Sequence, residues 1–150
     1  MLDYEKFLRF SEECNDHYRA LLEFEYKKME LITEDDIENL SKALPEEQAL
    51  VMKSNSLETK RAKLLGSENA GKTFRELADS APDEYKKRLK ELYQELCSLI
   101  SRIKELNDTA AVIINSRLKR ISTKTDVDTY NGNGGVSKTN TYETHTTFKA

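Results

Sequence analysis

PDEYKKRLKELYQELCSLISRIKELNDTAAVIINSRLKRI, running from Pro82 to Ile121, is the stretch that decides the fold. It contains no Gly, and no Pro after its first residue. Apolar side chains recur along it at alternating steps of four and three: Tyr85, Leu89, Leu92, Leu96, Leu99, Ile103, Leu106, Ala110 and Ile113. That heptad period belongs to a helix packed lengthwise against others. A second stripe, Tyr93, Cys97, Ile100, Ala111, Ile114, Leu118 and Ile121, runs beside the first. Two stripes make a face too wide for a two-stranded coil, so at least two partner helices are expected. At 1.5 Å per residue the rod is about 60 Å long. Ser80 as a cap, Pro82 in the first turn, and Asp83 and Glu84 at the positive end of the dipole mark its start.

Working back from this rod, residues 3–32 read as a first long helix. Tyr4, Phe7, Cys14, Tyr18, Leu21 and Ile32 sit at helical spacing, with Leu8, Leu22 and Met29 beside them. Ser11, Glu25 and Lys28 interrupt this seam, which predicts a helix less fully buried than the last. Thr33 followed by Asp36 reads as a capping arrangement, so the chain breaks near Thr33 and opens a second helix whose apolar face carries Ile37, Leu40 and Leu44. Pro45 either kinks it or begins a new segment. Leu50, Val51, Leu57, Leu64 and Leu65 continue the face to Gly66, thinly, with Ser54 and Asn55 in its middle. Thr73 and Glu76 form a capping box for a short helix anchored by Phe74 and Leu77. The expected fold is all-α: an antiparallel three-helix bundle or coiled coil with a short connecting helix, over residues 1–121. From Ser122 the composition turns to Thr, Ser, Asn and Gly and the helical period ends. Residues 122–150 read as a flexible tail, with a turn signal at Asn131–Gly135.

Composition narrows the function. A chain of 150 residues is one domain, and 34% charged residues without Trp fit long helices with solvated outer faces. A net charge of -3 leaves no basic footprint for nucleic acid. No apolar run approaches 18 residues, and Asp3 and Glu5 are unlike a signal peptide, so neither membrane insertion nor export is expected and the location reads as cytoplasmic. Cys14 and Cys97 read as small core residues. His17 and His145 stand without ligands at metal spacing, and the acidic runs Glu34-Asp35-Asp36 and Glu46-Glu47 read as solvated first turns. No catalytic residue, metal ligand or cofactor site emerges.

One motif argues otherwise. Gly66-Ser67-Glu68-Asn69-Ala70-Gly71-Lys72-Thr73 fits the phosphate-binding pattern G-x-x-x-x-G-K-[ST]. A working P-loop is fed by a buried strand within a parallel sheet, whereas the residues before Gly66 are charged and helical in period. The simpler reading has Gly66 ending one helix, Gly71 relieving the turn and Thr73 capping the next. Nucleotide binding at 66–73 therefore ranks below the reading as a binding or structural protein.

The end of the longest helix is the better candidate. If the first and last helices run parallel from a level start, the first ends near the height of Ile113. Ile114, Leu118 and Ile121 then continue the apolar face past its cover, which marks a protein-binding site. The start of the second helix, or the mate in a homodimer, is the alternative cover. A structural coiled-coil protein that only self-associates is the alternative function.

Several of these segments resemble the FlgN family of flagellar type III export chaperones, over most of positions 15–135. Glu47-Gln48-Ala49-Leu50-Val51-Met52 and Leu57-Glu58-Thr59-Lys60-Arg61 are similar to the family's second helix, and Thr73-Phe74-Arg75-Glu76-Leu77 to its short connecting segment. Leu106-Asn107 followed by Val112-Ile113-Ile114 resembles a signature of the family's last helix, departing from it at Ala110, where the family often has Asn. Thr129-Tyr130-Asn131 with Gly132 resembles its tail motif. The resemblance implies a chaperone that holds hook–filament junction proteins, of the FlgK and FlgL type, until export. It also implies cargo binding by the last helix, here Ile113, Ile114, Leu118 and Ile121, and docking of Tyr130 on the cytoplasmic domain of the export gate.

Overall fold

The computed structural model describes residues 1–126, with side chains to residue 121. Four helices follow one another: α1 (Tyr4–Thr33), α2 (Ile37–Asn69), α3 (Phe74–Asp79) and α4 (Asp83–Asp126). The all-α bundle required by the periodicity is present, and the described residues hold no strand. At 44 residues α4 is about 66 Å long, and it runs past Ile121 to Asp126.

The caps show why the helices start and stop where they do. The Asp3 carboxylate accepts the Glu5 and Lys6 amides at 3.1 and 3.2 Å, satisfying two first-turn donors of α1. At the other end Asp35 adopts φ 59°, and the Asp36 and Asp35 amides bond back to the Leu31 and Ile32 carbonyls at 2.9 and 3.1 Å. This is a Schellman turn with Asp in place of the usual Gly. The cap of α2 is not Thr33, which is still the last residue of α1, but Asp36, which accepts the Asn39 amide at 3.2 Å. Thr73 does the same for α3 through the Glu76 amide, also at 3.2 Å. Ser80 does not open α4 as expected. Its hydroxyl donates to the Glu76 carbonyl at 2.7 Å and closes α3, and Pro82 precedes the first turn of α4.

Helix α2 runs unbroken through Pro45 and kinks instead at Gly66 (φ 66°, ψ -176°). Pro45 and Ser41 are both exposed, so the carbonyl that loses its partner to the proline ring faces water rather than the core. Because no new segment starts at Pro45, Glu46 and Glu47 lie mid-helix rather than in a solvated first turn.

The helix at the centre is α1, not α4. Tyr4 stacks on Tyr85, the Tyr26 hydroxyl accepts from Arg102 Nε at 2.7 Å, and Arg117 reaches the carbonyl of Ile32, so α1 and α4 run parallel. Pairs of His17 with Ser54, Lys28 with Glu47 and Met1 with Glu68 show α2 running antiparallel on another side of α1. Helix α3 clasps the start of α4, with Phe74 wedged between Phe7 (5.3 Å between centroids) and Tyr93 (5.5 Å). The second partner of α4 is therefore α3, and the backbones of α2 and α4 do not approach each other among the described residues.

This arrangement overturns the expectation that α1 is less buried. Ser11, Glu25 and Lys28, which interrupt its seam, are all buried. The contiguous core joins Phe7, Phe10, Tyr18 and Leu21 to Leu57, Leu65, Phe74 and the α4 stripe from Leu89 to Ile103. On the α2 side polar groups share the interface. Lys28 Nζ lies 3.2 Å from Glu25 and 2.6 Å from Glu47. Burial pulls Lys28 down, but the two carboxylates more than offset it, so its ammonium is held above the usual lysine range. His17 meets the Ser54 hydroxyl at 2.7 Å, which accounts for the small residue at that point of α2.

Candidate protein-binding site

Past the turn between α1 and α2, the face of α4 that packs on α1 continues without a partner helix. Ala110 is buried, Ile113 and Ile114 are half-buried, and Leu118 and Ile121 are 52% and 60% exposed. On a helix Ile114, Leu118 and Ile121 share one stripe, in line with Leu96 and Ile103 below, because steps of three, four and seven return to one side. The same periodicity that buries Leu96 completely leaves Ile121 in solvent, since α1 ends at Thr33. Val112, also exposed, is on the opposite side of the helix.

Arg117 fixes this end to the bundle. Its guanidinium donates to the carbonyls of Ile32 and of Thr33 (3.2 Å) and pairs with Asp35 at 3.0 Å. Both carbonyls lie in the last turn of α1, at the negative end of its dipole, where Ile32 also accepts the Asp35 amide, so the arginine acts as an external cap. Beside it Ile37, Ile121, Asp35, Arg117 and Arg120 line an open depression of about 470 Å³. Ile37 is itself 68% exposed and Leu44 49%, so they do not form the buried face of α2. That role falls to Ala43, Leu57 and Leu65, with Glu47 half-buried beside Lys28. The start of α2 therefore stands beside the stripe and leaves it uncovered. Hydrogen bonds from the Asn39 side chain and amide hold the Asp36 carboxyl below its usual range, consistent with its capping role.

The cargo residues expected from the sequence thus fall into two kinds. Ile114, Leu118 and Ile121 share a stripe, while Ile113 is on its flank. Tyr130 lies outside the described residues. Sequence reasoning missed Ile37, Arg117 and Arg120 as neighbours of the stripe. Only the step of seven from Ile37 to Leu44 hints at a second apolar row, and such a step reads equally as core.

The phosphate-binding pattern resolves into ordinary helix punctuation. A helix delivers the chain to Gly66, the Lys72 carbonyl accepts from Arg61 at 3.1 Å, and the Thr73 hydroxyl caps α3. Gly71 has no positive φ, so the turn does not require glycine there. Cys14 is buried and Cys97 half-buried. Among the described residues no cluster of His, Cys, Asp and Glu could hold a metal ion, and no helix is long and apolar enough to cross a membrane.

Comparison with protein families matches residues 1–143 to the family described as FlgN protein. The chain belongs to the FlgN family. It is therefore a member of the flagellar export chaperones, a family of binding proteins rather than of enzymes. No curated protein and no solved structure matches the chain.

Proposed function

We propose that this FlgN chaperone binds hook-associated proteins of the FlgK and FlgL type in the cytoplasm, keeps them from assembling early, and brings them to the export gate. The observation that carries the reading is the α4 stripe, whose core-facing side continues into solvent at Leu118 and Ile121. An amphipathic segment at the end of a cargo protein buries its apolar side on Ile114, Leu118 and Ile121, with Ile113 at the margin. Each side chain so covered contributes at most roughly 1.5–3 kcal/mol before the costs of ordering. Tyr130, in the sequence beyond α4, docks on the cytoplasmic domain of the gate, a role that rests on the family resemblance of Thr129-Tyr130-Asn131.

The test is a titration of a purified FlgK-type protein beside a secretion assay. Leu118→Asp/Ile121→Asp is expected to weaken binding at least tenfold while keeping its helicity. Tyr130→Ala is expected to bind cargo like the parent and to lower export. A double variant that binds normally, or a Tyr130→Ala chain that exports normally, contradicts the corresponding half of the reading.

A further inference from the structure

We propose that the cargo site has a second wall: Ile37 of α2 closes it opposite Ile121, and Arg120 at its rim receives a carboxylate. The occupant is then an amphipathic helix with an acidic flank. The inference rests on the reading of the α4 stripe as the cargo site and extends it to the chemistry of the segment bound.

Three observations support two walls rather than one. Ile37 and Ile121 line the same depression although 84 residues separate them in the chain. Ile37, Leu40 and Leu44 follow steps of three and four along one flank of α2, and none of the three is buried. Ile114, Leu118 and Ile121 repeat that spacing on α4 over about 10 Å, or two turns. Of the two rows Ile37 and Ile121 line the depression, and the others continue from it along α2 and α4 at the three- and four-residue steps with which a helix laid in a groove touches its walls.

Charge selects the occupant. The depression is lined by Asp35, Arg117 and Arg120, and the first two pair with each other at 3.0 Å. Arg117 is further committed to the carbonyls at the end of α1. Arg120 is exposed and has no ion-pair partner among the described residues. The positive end of the α2 dipole, at Ile37, adds to the same potential. Glu34 and Glu38 stand nearby in sequence but do not line the depression. A depression with an isoleucine on each wall and one guanidinium without an ion pair among the described residues favours a segment whose apolar ridge is bordered by Asp or Glu.

The full chain should be titrated with a purified FlgK-type protein at low and high NaCl. Ile37→Asp and Arg120→Glu are each expected to weaken binding about tenfold, and Arg120→Lys less than threefold. Arg120→Glu should also remove most of the loss of affinity that salt causes in the parent. Both side chains are exposed, so thermal melting of the variants should stay close to the parent. If Ile37→Asp and Arg120→Glu bind within twofold of the parent while Leu118→Asp/Ile121→Asp is weakened, the second wall is wrong and the α4 stripe survives. If the α4 double variant also binds normally, the underlying reading fails with it. A chain lacking residues 127–150 should bind no more tightly than the parent. Binding tenfold tighter would make the chain's own tail the occupant and overturn the inference. Sedimentation of the chain alone should show a monomer; a dimer dissociated by Ile37→Asp would make a second copy the occupant, with the same consequence.

Discussion

Helix α1 meets α4 and α2 by different means. Towards α4 it presents the apolar stripe of Phe7 and Leu21, answered by Leu89, Leu92, Leu96 and Ile103, with one buried amide: Asn15 donating to the Leu92 carbonyl at 3.0 Å. Towards α2 it presents His17 to Ser54, Glu13 to Lys53 and Lys60, and Lys28, paired with Glu25 of its own helix, to Glu47. The first seam depends on area removed from water and tolerates any close-packed apolar match. The second depends on partners being present and correctly placed, because a buried charge that loses its partner is costly. A helix with a half-polar face can thus be the most central in the bundle, provided its neighbours answer each polar group.

The sharpest way to break this comparison is Lys28→Met. It leaves Glu25 and Glu47 together in a largely buried site and should cost about 3–5 kcal/mol in denaturant unfolding. Replacing the trio together, as Glu25→Leu, Lys28→Met and Glu47→Leu, should restore parental stability or exceed it. A triple variant as weak as Lys28→Met would mean that the trio is not a self-contained charge balance.

On the apolar seam Leu96→Ala, at a fully buried position, should cost about 2–5 kcal/mol through lost transfer energy and the cavity left behind. No second substitution in α2 should rescue it, since the backbones of α2 and α4 stay apart. Rescue from α2 would show that the two seams are one.

A smaller effect belongs to the kink that ends the polar seam. A Cβ at Gly66 would meet no atom within 4 Å, so Gly66→Ala acts only through its positive-φ extended backbone, a region nearly confined to glycine, and should cost about 1–3 kcal/mol. Gly71→Ala, in equally open space without positive φ, should be neutral or slightly stabilising. Equal effects at the two glycines would remove the kink from the account.

The smallest expected effect is the response to pH. Burial pushes the Cys14 thiol up to about 12, helped by Glu13 and Glu58, so above pH 9 the unfolded chain ionises while the fold keeps its proton. Stability should therefore fall as pH rises, by about 1 kcal/mol between pH 9 and 10, and Cys14→Ala should flatten that slope. His17 works from the other side. Burial, then Lys53, holds its imidazole below the usual range, so below about pH 6.5 the unfolded chain takes a proton that the fold refuses. Stability falls with acid, and amide exchange should rise in α2 before α4. Simultaneous loosening of both would count against a separable polar seam.

Much of this was legible in the residues. The heptads of α4, the Thr73 cap and the break near Thr33 follow from local chemistry within a turn or two of chain. What escaped was pairwise and distant. Lys28 and Glu47 look like solvated charges until α2 folds back over α1 and sets them 2.6 Å apart. Ser54 looks like a gap until His17 fills it. Ile37 and Leu44 look like core because periodicity reports a shared side of the helix, and cannot say whether anything covers it.

The sequence by itself determined that the chain is helical, where three of its four helices begin, that its last helix outruns the first, and that it belongs with the FlgN chaperones. Only the tertiary structure decided that α1 is the middle helix, that its charges are buried against α2, and that Ile37 and Arg120 stand beside the exposed stripe. The physical reason is range. Hydrogen bonds, caps and apolar spacing act over a few residues and leave their pattern in the chain. The partner of each face is chosen by how well whole helices cover one another, a property of the assembled bundle rather than of any one stretch.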